Sequence, residues 1–427
     1  MGGQIMKYIK YLLLFSFLVA ADADDMIVIK NGNVFVDGEG FVKKDILVDE
    51  GKILLVEDII GNVGASTIIN AQGKYVMPGS IVFSQLGLLE IGALSETNDS
   101  SSSIYNAGFD PSSAYNPFSQ AVRLNRSKGV TSTVHVPGAS GYFRGLLGYT
   151  KINDGYKQKK QGPLGLVTRF GQSRNDSRAA ELMFMEDLFA LVRGRADEKK
   201  SYESDNIQFF FGTNNNYKFT KRDFDALSKV LNREIPLVIE VNKATDILNV
   251  LKFGQTQNID LVLWGAHEAH MVADEIAQAG VSVVLDPLDN IPGSFDSLNA
   301  TYENVTRLDD AGVEMAFYYS QGAGSHNAYL AHQSAGNAVA MGLDYNEAIQ
   351  AITSNPANIF GLVDVGSVAP GYDADLAIWD GDPLELMSNV ETVLIDGKVE
   401  DLSNRYEELT KRYTEDRDKP NSYRSRQ

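Results

Sequence analysis

The chain has 427 residues, of which 44% are hydrophobic and 22% charged, so it can bury one large core with a satellite domain and is not a disordered protein. Its net charge of −18 argues against binding to nucleic acid or to an anionic membrane, because either surface would repel it. Cysteine is absent from the sequence, which excludes disulfides, thiolate metal ligands and a cysteine nucleophile.

Residues 1–23 are predicted to be a secretory signal peptide. Lys7 and Lys10 supply a basic start, residues 11–20 are apolar, and Ala21-Asp22-Ala23 forms a small-x-small cleavage site. The apolar run is too short to cross a bilayer, which disfavours the alternative of a retained membrane anchor. We therefore expect an exported protein, in the bacterial periplasm or outside the cell, with no membrane span in its mature form.

Two segments from opposite ends of the chain, residues 26–79 and 361–400, are predicted to form one composite β-sandwich. In the first segment, Asn31-Gly32 and Asp37-Gly38 separate short apolar runs and supply the positive φ that hairpin turns need. The second segment has a similar texture, with a Pro-Gly turn at 370–371 before an apolar run. Neither half is large enough to be stable alone, so we expect the two to pair.

Residues 80–360 alternate apolar strands with amphipathic helices, which predicts an α/β fold of the (β/α)8 TIM-barrel type. Five of the expected strands are the most clearly marked: 129–136, 236–241, 259–264, 281–285 and 313–319. Their C-terminal ends are where such a barrel carries its chemistry. Residues 95–113 are rich in Ser and Asn and are expected to form a functional loop over that end. Residues 401–427 form a charged C-terminal tail.

Two motifs carry a resemblance to a known family. Met77-Pro78-Gly79 followed by an apolar run is similar to the first barrel strand of the amidohydrolase superfamily. Residues 366–376, which read GSVAPGYDADL, resemble the closing segment of imidazolonepropionase-like members, and residues 286–296 resemble an exported branch of that group. The resemblance implies a barrel with a composite sandwich and, in active members, metal-dependent hydrolysis of C–N bonds in cyclic amides.

The residues that the resemblance places at the metal site are not the usual ligands. Ser84 and Leu86 stand where the family has His-x-His, and Val82 stands at the position of its Asp. On later strands, Glu240 and Asn242 replace a His-x-His pair. Neither serine nor leucine is a credible zinc ligand, because zinc takes imidazole, thiolate or carboxylate.

The remaining candidates follow the later strands. His267 and His270 come after the strand 259–264, three residues apart, so they lie on one face of a helical turn. Ser320 and Gln321 stand where the superfamily has its catalytic Asp, and His326 with Asn327 resembles a segment of the exported branch. The full set of pocket candidates is Ser84, Gln85, Glu90, Glu240, Asn242, His267, His270, Ser320, Gln321, His326 and Asn327.

The sequence thus favours a catalytically degenerate amidohydrolase-fold protein that binds a small-molecule ligand or acts as the partner subunit of an active homologue. No metal or other cofactor is expected, and we expect a homodimer or a hetero-oligomer with a metal-bearing homologue. The alternative is a working hydrolase of cyclic amides or other C–N bonds, in which Glu240, His267, His270 and His326 form an atypical site for zinc or another divalent metal.

Overall fold

The computed structural model describes residues 26–90, 98–155, 160–171, 177–196, 207–211, 215–320 and 326–415. The predicted signal peptide and the end of the charged tail lie outside the described residues, as does Gln321. The chain is α/β, with one sheet domain and one barrel, which confirms the predicted fold class. No helix in the described part of the chain is long and apolar enough to cross a membrane.

The first domain is a composite sheet made from both ends of the chain. Its strands run in the order β18-β17-β16-β5-β1-β2-β3, and β4 pairs with β1. Strands from both ends share one apolar core, in which Ile29 and Ile46 from the N-terminal half pack with Leu376 and Leu394 from the C-terminal half. The strands are β1 (Ile27–Val36), β2 (Gly40–Asp49), β3 (Lys52–Glu57), β4 (Thr67–Asn70), β5 (Tyr75–Pro78), β16 (Leu376–Trp379), β17 (Val390–Ile395) and β18 (Lys398–Val399).

One of the two hairpin-turn predictions is wrong. The turn at Asp37-Gly38 does join β1 to β2, but Asn31-Gly32 forms a bulge inside the single strand β1. Asn31 has φ of 59° there, and its backbone N–H donates to Asp45 Oδ1 at 2.8 Å. A Cβ on Gly32 would lie 2.8 Å from Val76 Cγ2, so the glycine permits close strand packing rather than a chain reversal.

The second domain is an eight-stranded barrel with the strand order β15-β14-β13-β12-β9-β8-β7-β6. Its strands are β6 (Ser80–Ser84), β7 (Val130–His135), β8 (Phe143–Lys151), β9 (Lys160–Arg169), β12 (Leu237–Val241), β13 (Leu261–Gly265), β14 (Ser282–Leu285) and β15 (Met315–Phe317), and a separate hairpin contains β10 (Ile207–Phe211) and β11 (Asn215–Phe219). All five strands singled out in the sequence are present. Seven barrel strands are parallel, whereas β8 runs antiparallel to both neighbours.

The barrel closes through a short segment between its two edge strands. Phe317 N on β15 donates to Ala351 O at 2.8 Å, and Ile81 N on β6 donates to Ile352 O at 2.9 Å. The helices are α1 (Gln120–Arg126), α2 (Arg178–Ala196), α3 (Lys221–Leu231), α4 (Ala244–Gln257), α5 (Ala273–Gln278), α6 (Glu303–Asp310), α7 (Ala331–Ala340), α8 (Tyr345–Gln350), α9 (Ser354–Ile359) and α10 (Arg405–Glu415).

The two domains meet at Gly79, between β5 and β6, and at the end of β8. A Cβ on Gly79 would lie 1.9 Å from Thr131 Cγ2, so only glycine fits at this crossing. Close by, the fully buried Lys151 of β8 pairs with Asp373 at 2.8 Å and Asp375 at 2.7 Å, and also with Asp396. This cluster fixes the barrel to the composite sheet through charges that come from distant parts of the sequence.

Candidate functional site

The candidate site is the barrel mouth, the edge at which the seven parallel strands end. Alternate residues of each strand face the barrel interior, and three inward aromatic rings form the floor beneath the mouth. The Trp264 ring lies 5.4 Å from that of Phe83 and 4.7 Å from that of Tyr318, measured between centroids. Phe360 packs edge-on against Phe83 at 5.6 Å. The floor is therefore apolar and aromatic, with Phe83 packed edge to face against its neighbouring rings.

Ser84 and Leu86, at the two positions of the family's histidines, are both turned away from the mouth. Ser84 is buried, and its hydroxyl lies 2.9 Å from Thr133 Oγ1 while accepting a 3.1 Å hydrogen bond from Leu86 N. Leu86 is fully buried in the apolar layer outside the barrel strands. Between them, Gln85 is only partly buried, and its amide donates to Val136 O at 3.4 Å.

Glu240, at the next histidine position of the family, is held by two arginines. Arg169 Nε donates to Glu240 Oε2 at 2.8 Å, and Arg144 Nη1 donates to the same oxygen at 3.1 Å. Arg169 is the direct neighbour of Glu240 across the parallel pair β9 and β12, and Arg144 lies near the start of β8. The Glu240 carboxylate is thus ion-paired with two arginines.

A second polar group follows β13, β14 and β15, in the adjacent sector of the mouth. Asp286 is buried and accepts from the backbone N–H of Ser320 at 2.8 Å, while the Ser320 hydroxyl donates to Asp289 at 2.9 Å. His267 Nε2 lies 3.6 Å from the other oxygen of Asp289. Burial raises the pKa of Asp286 above its usual range, with Asp289 nearby adding to the effect.

The Tyr318 hydroxyl connects these two groups electrostatically. Burial raises its pKa well above the ordinary value, and the nearby carboxylates of Asp289, Glu240 and Asp286 raise it further. The tyrosine also packs between the two groups: its ring lies on Trp264, the register partner of Glu240, and its backbone N–H donates to Leu285 O, next to Asp286. Tyr318 therefore stays protonated and can act there as a hydrogen-bond donor.

The other candidates from the sequence lie around this centre or apart from it. His270 lies on the short 3-10 helix Ala269–Met271, where its backbone N–H donates to Asn304 Oδ1 at 2.8 Å and its side chain borders a groove with Arg307. Burial, followed by the charge of Arg307, lowers the pKa of His270. The Glu90 carboxylate accepts from Asn116 Nδ2 at 3.4 Å.

Asn242, His326 and Asn327 make mainly backbone contacts. Asn242 O accepts from Glu268 N at 2.9 Å, and His326 O accepts from the side chain of Asn125 at 3.2 Å. Asn327 begins the 3-10 helix Ala328–Leu330 without capping it through its side chain. None of these contacts brings the three side chains to the centre formed by Glu240 and Asp286.

The residues that the structure describes at the mouth do not fit a metal ion. Among the residues that the structure describes, no group of three or more His, Asp or Glu side chains is placed to hold one. Ser84 and Leu86 offer no suitable ligand, and Glu240 is paired with two guanidinium groups that would repel a divalent cation. In the second polar group both carboxylate oxygens of Asp286 already accept hydrogen bonds, which leaves His267 and Asp289, and two ligands are too few for a structural or catalytic zinc site.

Four site residues were missed in the sequence: Arg144, Arg169, Asp286 and Asp289. Asp286 directly follows the predicted strand 281–285, and this position at a strand end was a signal that could have identified it. The arginines gave no such signal, because neither β8 nor β9 was predicted as a strand.

Comparisons with known proteins agree with this architecture. The sequence profile of the amidohydrolase family matches residues 191–400. An amidohydrolase structure from Thermotoga maritima is similar over 87% of this chain and 99% of its own, with a TM-score of 0.75 and 26% sequence identity. The chain therefore belongs to the amidohydrolase superfamily.

Within that superfamily the chain is imidazolonepropionase-like. It is 35% identical to imidazolonepropionase from Cereibacter sphaeroides over 114 residues, and 37% identical to the amidohydrolase tasK from Hapsidospora irregularis over 60 residues. The matched segments span 28% and 6% of the length of these two relatives, and 26% and 14% of this chain.

Proposed function

We propose that this protein is a catalytically degenerate amidohydrolase that binds a small polar molecule at the barrel mouth without a hydrolytic metal centre. One observation carries the proposal: Glu240, the carboxylate at a family ligand position, is shared by Arg144 and Arg169 at 3.1 and 2.8 Å. Zinc activates water only when enough ligands hold it, and here the position is occupied by an ion pair.

The remaining polar groups support binding as the function. Asp286, Asp289 and Ser320 form a hydrogen-bonded group beside an aromatic floor, and Tyr318 supplies a protonated hydroxyl close to them. Binding sites for small molecules commonly combine an apolar, aromatic lining with a few convergent polar groups. The proposal also holds that the protein is exported. N-terminal sequencing of the protein secreted by the native host tests this.

The first experiment measures metal content and turnover. Protein purified without added metal and dialysed should carry less than one equivalent of zinc, iron or manganese by elemental analysis, and it should not hydrolyse imidazolone or other cyclic amides. Stoichiometric metal together with turnover would refute the proposal and support the hydrolase alternative. The variant Glu240→Gln distinguishes the two readings further, because it should lower metal content only if Glu240 is a ligand.

The second experiment measures ligand binding directly. The chain has two tryptophans, Trp264 in the floor of the mouth and Trp379 in the composite sheet. In the variant Trp379→Phe, the fluorescence of Trp264 alone reports on the mouth. A saturable change with a small polar ligand is the expected result, and loss of the ligand-induced thermal shift on Ser320→Ala would locate the site.

A further inference from the structure

We propose that Arg144 and Arg169 recognise a carboxylate group of the ligand, and that Glu240 is an internal carboxylate that occupies the same position when no ligand is bound. This inference rests on the proposed function and adds the chemical class of the ligand to it. The three side chains come from three neighbouring strands, β8, β9 and β12. They converge at the mouth, where each retains 25–32% of its exposure to solvent.

Contacts with the described residues use only part of the arginines' hydrogen-bonding capacity. Each guanidinium group has five N–H donors, yet within the described residues each makes a single side-chain hydrogen bond, and both go to Oε2 of Glu240. Two cations share one carboxylate, so the trio carries a net charge of about +1 in a protein whose net charge is −18. A second carboxylate would neutralise this excess and could be bound in the two-pronged geometry that arginine favours.

The position of the pair is set by the sheet rather than by flexible loops. Glu240 and Arg169 are register partners across β12 and β9, and Arg144 lies on β8, which pairs with β9 on its other side. Side chains held by neighbouring strands are partly ordered before binding, which reduces the entropy lost when a ligand is fixed. Glu240 keeps the guanidinium groups from repelling each other when the site is empty.

A competing internal carboxylate makes a prediction that a purely structural ion pair does not. If Glu240 only stabilises the fold, then Glu240→Gln should lower the free energy of unfolding and leave the ligand affinity unchanged or reduced. If Glu240 competes with the ligand, the same variant should bind carboxylates more tightly, because both arginines lose their internal partner. Stability and affinity should therefore change in opposite directions.

The test uses matched pairs of probes on the full chain in the Trp379→Phe background. Acetate, glutarate and benzoate are titrated against Trp264 fluorescence and thermal unfolding, and acetamide, glutaramide and benzamide are their neutral controls. We expect at least one carboxylate to bind saturably while its amide does not. Glu240→Gln should tighten that binding roughly fivefold or more, and Arg169→Met should weaken it roughly tenfold or more.

Two further variants keep the result interpretable. Arg233→Met removes an exposed arginine that pairs with Asp260 at 2.6 Å far from the mouth, and it should not change affinity. Arg169→Lys retains the positive charge but not the two-pronged guanidinium geometry, so it should bind the carboxylate more weakly than the parent. This variant replaces Arg169→Met in the test if Arg169→Met fails to fold.

Several outcomes would overturn the inference: no carboxylate binds, the amides bind equally well, or Glu240→Gln fails to bind more tightly. Its failure is separable from failure of the proposed function. If substitution of Arg169 and Glu240 leaves ligand binding unchanged, the carboxylate site is refuted and the proposed function is not. Stoichiometric metal with turnover would refute the proposed function.

Discussion

Replacing Lys151 with methionine should strongly destabilise the protein, because it removes a fully buried cation at the junction of the two domains. The ammonium group contacts Asp373 Oδ2 at 2.8 Å and Asp375 Oδ2 at 2.7 Å, and both carboxylates are almost completely buried. Breaking a buried ion pair on one side typically costs about 3–5 kcal/mol, since an unpaired charge remains. Lys52 still pairs with Asp373 at 2.6 Å, so we expect the lower end, about 3 kcal/mol.

The assay is denaturant unfolding at neutral pH, with the free energy taken from the linear extrapolation. Lys229→Met is the matched control, because Lys229 pairs with Glu234 at 3.2 Å on the surface and such pairs contribute about 0–1 kcal/mol. A loss for Lys151→Met of no more than about 1 kcal/mol, equal to the control, would refute the reasoning.

The pH dependence of the same variant provides an independent check. Burial raises the pKa of Asp375 in the folded protein, and Lys151 is the main influence that opposes this rise. Without Lys151 the pKa rises further, so the folded state binds a proton more readily than the unfolded chain does. The loss in unfolding free energy caused by Lys151→Met should therefore become smaller as the pH falls from 7 towards 5. Adding Asp375→Asn to the Lys151→Met variant should recover part of that free energy at neutral pH.

Three other predictions concern stability, metal binding and assembly. Burial lowers the pKa of His135 to about 3 and that of His332 to about 4. The free energy of unfolding should therefore fall as the pH drops from about 6.5 towards 4, by up to about 1.4 kcal/mol per pH unit for each histidine. A free energy of unfolding that does not change with pH in urea titrations would contradict this. The double variant Ser84→His, Leu86→His should unfold at lower denaturant and bind no stoichiometric zinc, because position 86 lies in the apolar layer outside the barrel; one tightly bound zinc with an unchanged midpoint would be the opposite result. Light scattering and co-purification from the native host should find a homodimer or a complex with a metal-bearing homologue, and a strict monomer without a partner would count against assembly.

Much of the fold was predictable because it depends on local patterns. Apolar runs of strand length, each followed by an amphipathic helix, predicted five barrel strands. The similar strand texture at both ends of the chain predicted a composite β-sandwich, and the two ends do pair, in one eight-stranded sheet. The Met77-Pro78-Gly79 motif likewise marked the point at which one domain passes into the other. These features depend on residues close together in the sequence, and local spacing determines them.

The arrangement of the site depended on contacts that only the tertiary structure provides. Glu240 was identified from its position near the C-terminal end of a predicted strand, but its partners Arg144 and Arg169 lie 96 and 71 residues away and on strands that were not predicted. Strand β8 runs antiparallel within an otherwise parallel barrel, and this reversal is what brings Arg144 to the mouth. Leu86 could be aligned with a family histidine, yet whether its side chain faces the mouth or the outer core is decided by how the chain turns after β6 and packs there. Sequence spacing identified five of the barrel strands, whereas β8 and β9, the direction of each strand and the side to which each side chain faces were decided by pairing between segments far apart in the chain.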